Sequence, residues 1–137
     1  MVAKVEQYGP LVGRTLLSVI FMVSGISKIL AWSGSAAYMA AKGMPFVSFF
    51  LLMALLLELA GSLSVLVGFQ ARLGALALFL YLIPTTLIFH NFWASPAEQP
   101  GLQIIMFLKN LAIMGGLAQV VSWGPGALSL EARKQRD

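Results

Sequence analysis

Four long apolar runs, with nearly all charged residues at their ends, constrain this chain more than any other feature of its sequence. Each run is close to the ~20 residues that a helix needs to cross a hydrocarbon core of about 30 Å. Because a lipid-embedded segment must satisfy its own backbone hydrogen bonds, each run is predicted to be a helix. The four predicted spans are Leu11–Leu30, Pro45–Val67, Leu73–Phe89 and Leu102–Val121.

The composition agrees with a chain that lies almost wholly in a lipid bilayer. Of 137 residues, 59% are hydrophobic and 10% are charged, whereas ordinary soluble domains contain about 25% charged residues. The longest connections, Ala31–Met44 and Asn91–Gly101, are too short to fold alone, although Ala36–Lys42 could form a short surface helix. We therefore predict one all-α integral membrane domain over residues 1–137, an antiparallel bundle of four transmembrane helices.

The basic residues predict the orientation of this bundle. Four spans place both chain ends and the turn after the second span on one side of the membrane. That side carries most of the Lys and Arg residues, so the positive-inside rule predicts an N-in, C-in topology. The first run is too long for a cleavable signal, so the first span is expected to direct insertion. Ser122–Gly126 is expected to end the last span and lead into a charged tail. The basic residues on this side are Lys4, Arg72, Arg133, Lys134 and Arg136.

Several function classes are disfavoured by composition. The net charge of +4 is not gathered into a basic patch, so no nucleic-acid partner is expected. The absence of cysteine excludes a disulfide, a thiol relay, an iron–sulfur cluster and a Cys-ligated zinc site within the chain. A single histidine, His90, cannot form a haem pair or a zinc site by itself. We therefore expect no metal and no intrinsic cofactor.

The first group of polar residues within the spans is Arg14, Glu58 and Arg72. A charge inside a membrane span is costly and usually has a partner. Arg14 in span one is expected to pair with Glu58 in span two and to fix the register of the bundle. Arg72, at the start of span three, could reach inward towards the same acid. The alternative is functional, with Glu58 as a proton carrier or ligand contact.

The second group lies near the opposite end of the bundle, on faces that are expected to turn inward. Two lysines without a nearby acid would make an electropositive cup, walled by aromatic rings. Such a cup suits a quinone head group, a sulfur oxyanion or a lipid phosphate. The structural alternative is that Lys28 extends to lipid head groups, His90 caps a helix and Lys109 bonds to backbone carbonyls. The candidate ligand-binding residues are Lys28, His90, Trp93, Lys109 and Asn110.

Short motifs along nearly the whole chain resemble those of one protein family. They are Gly13-Arg14-x-Leu16-Leu17, Ser24-Gly25, Gly43-x-Pro45, Glu58-x-x-Gly61, Gly68-x-x-x-Arg72, Phe89-His90-x-Phe92-Trp93 and Phe107-x-Lys109-Asn110. In this order and at these spacings they resemble the DoxX family of small bacterial membrane proteins. The resemblance implies a four-helix bundle in the bacterial inner membrane. It also implies a link to redox systems, since relatives include subunits of thiosulfate:quinone oxidoreductase and partners of superoxide dismutase and a sulfurtransferase.

Three functions remain open on the sequence alone. The first is a small subunit of a quinone-linked redox system, in which a redox partner protein supplies the electrons and the cup holds a quinone. The second is a non-enzymatic scaffold or assembly component of a membrane complex. The third is passage of a small solute or ion, which four short helices would achieve as a homo-oligomer. Because the chain brings no redox centre, any catalysis would belong to a larger oxidoreductase complex.

Overall fold

The computed structural model describes residues 2–94 and 100–135, and there the chain is helical with short connections. Four of its helices are long and apolar enough to cross a membrane, namely α1, α3, α4 and α5. The predicted all-α membrane fold with four spans is therefore confirmed, while its orientation stays a prediction. Arg136 lies outside the described residues. The helices are α1 Val2–Leu30, α2 Trp32–Ala41, α3 Val47–Val67, α4 Ala71–Phe89, α5 Pro100–Trp123 and α6 Leu130–Lys134.

α1 is longer than its predicted span, and both α1 and α4 contain an internal proline. α1 begins at Val2 and continues through Pro10, whereas the predicted span begins at Leu11. A proline in a helix interior costs one backbone hydrogen bond, and the helix-forming residues before it extend the helix nonetheless. Pro84 likewise lies within α4, and Thr85 donates a hydrogen bond of 2.8 Å to the carbonyl of Tyr81. Both prolines are therefore accommodated within continuous helices.

The four spans form a ring in which α1 packs on α3, α3 on α4 and α4 on α5, and α5 closes against α1. Small residues allow these helices to approach each other closely. A Cβ atom on Gly61 of α3 would lie 2.8 Å from Leu78 of α4, and one on Gly74 of α4 would lie 2.6 Å from Ser64 of α3. The α3–α4 contact thus depends on the absence of side chains at two positions.

The two ends of the ring differ. We call the end that contains Arg14, Arg72 and α6 the Arg end, and the opposite end the α2 end. The half of the bundle near the Arg end is filled by a packed apolar core. Its fully or almost fully buried members are Phe21, Val65, Ala71, Ala75, Leu78 and Leu117.

Residues 124–134, which we call the C-terminal clasp, fold over the Arg end. The charged tail expected after Ser122–Gly126 is therefore folded against the bundle. The guanidinium of Arg14 is buried and donates hydrogen bonds to the carbonyls of Pro125 and Leu128. The Glu131 carboxylate accepts a hydrogen bond of 3.0 Å from the backbone N–H of Ala71. Because the residue before α4 makes no side-chain cap, Glu131 supplies that cap from a distant part of the chain.

Gly68 makes the close fit of the clasp possible. It ends α3 in the left-handed backbone region at φ +70°, which favours glycine. A Cβ atom there would lie 2.5 Å from the Cβ of Ser129 and 2.7 Å from the Arg14 guanidinium. The Gly68 carbonyl also accepts a hydrogen bond of 3.0 Å from the Glu131 N–H. The turn between α3 and α4 is thus held against both the first span and the clasp.

Candidate functional site

A partly open cavity of about 1090 Å³ lies between the four spans at the α2 end. Its walls are mainly apolar and aromatic, and all of α1 to α5 contribute to them. This volume is slightly above the range, roughly 300–1,000 Å³, that is usual for small-molecule sites. The apolar lining includes Met39, Phe50, Leu57, Pro84, Phe89 and Ile113.

The short helix α2 lies across the end of this cavity. Its Tyr38 ring stacks on Phe89 of α4, with the ring centroids 5.5 Å apart and the planes inclined by 24°. Met39, on the next position of α2, is buried. The ammonium of Lys42 lies 5.7 Å from the centre of the Tyr38 ring, within the usual range of a cation–π contact. α2 therefore adds aromatic surface and one positive charge to the cavity lining.

The deepest polar group of the cavity is centred on Glu58, near the middle of α3. Its Oε1 accepts hydrogen bonds from the Tyr81 hydroxyl at 2.7 Å, the Lys28 ammonium at 2.9 Å and the Ser24 hydroxyl at 3.2 Å. Its Oε2 accepts one further bond from Lys28 at 2.9 Å. We call Ser24, Lys28, Glu58 and Tyr81 the floor cluster. The Glu58 side chain is only 4% exposed, so this acid is held almost out of contact with solvent.

The expected pairing of Glu58 with Arg14 is wrong, and the direction of helical side chains explains why. Side chains on a helix lean towards its N-terminus. Lys28 therefore leans from near the end of α1 into the bundle, where it also donates a bond of 2.7 Å to Ser24. Arg14 leans the other way, and it lies ten residues before Ser24, or about 15 Å along the helix.

Arg72 does not reach Glu58 either. Its guanidinium donates hydrogen bonds of 2.8 Å to the carbonyls of Val121 and Ser122, in the last turn of α5. The Arg14 guanidinium lies close to Gly68, at the C-terminal end of α3. The C-terminal end of a helix carries a partial negative charge and unpaired carbonyls, which stabilise a nearby cation. Arg72 is therefore held by the end of α5 and Arg14 by carbonyls of the clasp, and neither is held by the intramembrane acid.

Of the second predicted group, the structure brings four residues to the cavity and leaves one outside. Lys28, His90, Lys109 and Asn110 all line the cavity, and that they bind a ligand there stays a prediction. Trp93 is not among the lining residues; it is 58% exposed and packs on the rings of Phe92 and Phe107. The expected cup with two unpaired lysines is wrong, because Lys28 belongs to the floor cluster.

The remaining polar residues of this group lie nearer the α2 end than the floor cluster. Asn110 is buried and donates a bond of 3.0 Å to Thr86, which lies five residues, or about 7.5 Å, beyond Tyr81 along α4. His90 Nδ1 lies 3.0 Å from the side-chain oxygen of Gln103. Lys109 is exposed, and its ammonium donates to the Met106 sulfur at 3.2 Å.

Two members of the floor cluster were not predicted as site residues. Ser24 was noted only as part of a family motif, and Tyr81 was not considered. Tyr81 carried a usable signal, because tyrosines in membrane proteins concentrate at the interfaces while this one lies mid-span between Leu80 and Leu82. Among the described residues, no group of three or more His, Cys, Asp or Glu side chains could hold a metal ion.

Comparisons with known proteins agree with this fold. The chain is 38% identical over 128 residues to the inner membrane protein YqjF of Escherichia coli, and the match covers 93% of each chain. It is 30% identical over 123 residues to the inner membrane protein YphA of the same organism, covering 90% of this chain and 88% of YphA.

A more distant relative is eukaryotic. The chain is 32% identical over 130 residues to a Surfeit locus protein 4 homolog of Schizosaccharomyces pombe, covering 93% of this chain and 38% of that protein. No solved structure matches the chain significantly. The sequence profile of the DoxX family matches residues 9–91, which is more than half of the chain. The chain therefore belongs to the DoxX family, as its motifs predicted, and is a multi-pass inner membrane protein.

Proposed function

We propose that the chain is a small subunit of a quinone-linked membrane redox system and that its cavity binds the quinone. The observation that carries this proposal is the floor cluster, an acid–lysine–tyrosine group at the base of an otherwise apolar cavity. A quinone presents a flat ring with oxygen atoms at its edge and an apolar tail. The cavity offers both counterparts, since aromatic and aliphatic walls surround a single polar base.

The floor cluster favours the hydroxyl form of such a ring. The three protons of the Lys28 ammonium are taken up by Ser24 and the two oxygens of Glu58. A carboxylate has about four acceptor positions, and Glu58 Oε2 accepts only one bond from the described residues. This oxygen can accept a hydrogen bond from a quinol hydroxyl, and it is also placed to take up or return the proton of that hydroxyl.

The chain would supply binding and a proton acceptor, while electrons would come from a partner protein. None of the side chains in the cavity is a redox centre, so the roles of Glu58 and Lys28 are to orient the ring and to transfer protons. This division of labour requires a redox partner in the same membrane. It also explains why a chain this small could work as a subunit of a larger complex.

Passage of a solute is less well supported by the geometry. The cavity lies in the α2 half of the bundle, whereas the Arg half is filled by buried side chains of α3, α4 and α5. A path across the membrane would have to open through residues such as Leu78 and Leu117, which are almost fully buried. A scaffold role would use the outer helix faces and would need no ligand in the cavity.

The proposal is tested by measuring quinone retained by the purified protein. The protein is extracted from its native membranes in mild detergent, and the lipid extract is assayed for quinone per mole of protein. We expect near-stoichiometric quinone, reduced about tenfold or more by Glu58→Leu and several-fold by Tyr81→Phe. Tyr8→Phe is the matched control, because Tyr8 is exposed on α1 at the Arg end.

Two results would contradict the proposal. One is a quinone content no higher than that of an unrelated membrane protein purified in the same way. The other is an equal quinone content for Tyr81→Phe and Tyr8→Phe. A stable larger partner recovered without any quinone would instead favour the scaffold function.

A further inference from the structure

The cavity rim carries a positive charge that the floor cluster does not neutralise. Lys28 and Glu58 offset each other, so together they leave the floor without net charge. Lys109 also lines the cavity, but its one hydrogen bond in the described structure is to the sulfur of Met106. A thioether is a weak acceptor and carries no charge.

The position of Lys109 makes this charge unusual. Lys109 is the tenth residue of α5 and is surrounded along the helix by Phe107, Leu108 and Leu111. Its neighbour Asn110 is fixed at the level of Thr86 by a hydrogen bond, and the lysine side chain leans from there towards Met106. The ammonium therefore lies nearer the α2 end than the floor cluster does, at the rim of the cavity.

An ammonium at this place is poorly solvated by the protein itself. Lys109 is exposed on a membrane-spanning helix, so its ammonium faces lipid or the cavity, and a charge among apolar groups is costly unless a counter-ion or several hydrogen-bond acceptors compensate it. Glu58, the acid that lines the cavity, already accepts four hydrogen bonds, two of them from Lys28. Compensation for Lys109 must then come from outside the described side chains.

We propose that the rim at Lys109 binds the oxyanion of an acidic amphiphile, a carboxylate or a phosphate, whose acyl chain lies along the apolar cavity wall. The oxyanion supplies the acceptors and the charge that the Met106 sulfur does not. The aromatic residues Tyr38 and Phe89 lie beside the rim and would border the chain. Lys42 of α2 also lines the cavity.

This inference goes beyond the proposed function because it assigns a ligand to the rim, not to the floor, and it does not require a quinone. The floor would bind a ring through hydrogen bonds from a cluster without net charge, whereas the rim would select ligands by their charge. A neutral amphiphile of the same length should therefore gain little from Lys109. An acidic one should gain a hydrogen bond between charged groups, which is stronger than a neutral bond.

The test compares oleate with oleyl alcohol, two molecules that share a chain and differ in charge. Binding to the purified protein in neutral detergent is measured by displacement of a fluorescent fatty acid. We expect oleate to bind about tenfold or more tightly than oleyl alcohol, and Lys109→Met to remove that difference. Lys109→Arg should keep it, and Lys134→Met on α6 is the control for a lysine outside the cavity.

A second arm identifies the source of the oxyanion. Native mass spectrometry of protein released from phosphatidylglycerol nanodiscs or phosphatidylcholine nanodiscs shows which lipids remain bound. Retention of phosphatidylglycerol that is lost in Lys109→Met assigns the rim to a lipid phosphate. Oleate selectivity without lipid retention assigns it to a free acid.

Equal binding of oleate and oleyl alcohol would overturn the inference. So would an oleate affinity that Lys134→Met lowers as much as Lys109→Met does. The unfolding temperature of each variant is recorded, so that a loss of fold is recognised. Quinone content is measured in the same preparations, where Tyr81→Phe should act and Lys109→Met should not, which separates failure at the rim from failure at the floor.

Discussion

Lys28 and Arg14 lie on the same inward face of α1, and yet only Lys28 contacts Glu58. Their spacing along this face made both residues candidate partners of the Glu58 carboxylate. The direction of each side chain, towards the start of α1, decides between them, since it carries Lys28 towards the middle of the bundle and Arg14 towards the Arg end. Arg14 then finds its acceptors in the backbone of the C-terminal clasp.

The lysine–acid pair should be measurable as an energetic coupling. We expect Lys28→Met to destabilise the protein by about 3 kcal/mol, because it leaves the buried Glu58 carboxylate without its counter-charge. The double variant with Glu58→Leu should be more stable than the sum of the two single changes predicts. Unfolding temperatures in detergent, followed by tryptophan fluorescence, provide the measurement.

A matched cycle tests whether the pairing is specific. Arg14→Met combined with Glu58→Leu should give additive losses, because these two side chains are about 15 Å apart along the bundle. A coupling between Arg14 and Glu58 as large as that between Lys28 and Glu58 would contradict the geometry.

At the scale of helices, α3 and α4 are held together by backbone proximity more than by large side chains. Gly74 of α4 brings its Cα against Ser64 and the backbone carbonyl of Gly61, where an added Cβ would lie 3.0 Å from that carbonyl oxygen. Backbone atoms cannot move away as a flexible side chain can. This contact should therefore tolerate no enlargement at Gly74.

Gly74→Ala should lower the free energy of unfolding by about 1–3 kcal/mol, the usual cost of overpacking. Gly115→Ala on α5 is the matched control, since nothing lies within 4 Å of an added Cβ there. The control should be neutral or slightly stabilising, because alanine favours helix more than glycine does. Equal effects of the two changes would show that the close α3–α4 approach does not exist in the membrane.

A second prediction at the scale of helices concerns the clasp. Glu131→Ala should cost about 1 kcal/mol, the usual effect of removing a helix cap, because the first turn of α4 would lose its acceptor. Glu6→Ala is a suitable control, as Glu6 is exposed on α1. If both variants unfold at the same temperature, Glu131 does not cap α4 in the membrane protein.

For the molecule as a whole, the sequence predicted the helices well and the partners of their polar residues less well. Helical spacing puts Ala54, Glu58, Gly61 and Val65 on one face of α3, and all four are buried. Hydropathy determines which segments enter a membrane but not which side chains meet within it. The clasp escaped prediction because residues 124–134 look polar and irregular, and their role depends on backbone carbonyls that any sequence possesses.

The orientation can be tested directly because the chain contains no cysteine. Single replacements at exposed positions of the two ends, Ser33→Cys before the middle of α2 and Gln135→Cys after α6, introduce one label site each. The N-in, C-in prediction expects an impermeant maleimide to label Ser33→Cys in cells with a permeabilised outer membrane. It expects Gln135→Cys to react only after the inner membrane is opened, and the reverse pattern would invert the topology.

The clasp also has a consequence for biogenesis. Arg14 enters the bilayer with the first span, but the carbonyls that receive its guanidinium belong to residues 125 and 128, near the end of the chain. Until translation delivers that segment, the early arginine must be satisfied by water or lipid phosphate. Completion of the bundle is therefore coupled to synthesis of the clasp, and a product that stops before residue 125 would leave Arg14 without these acceptors.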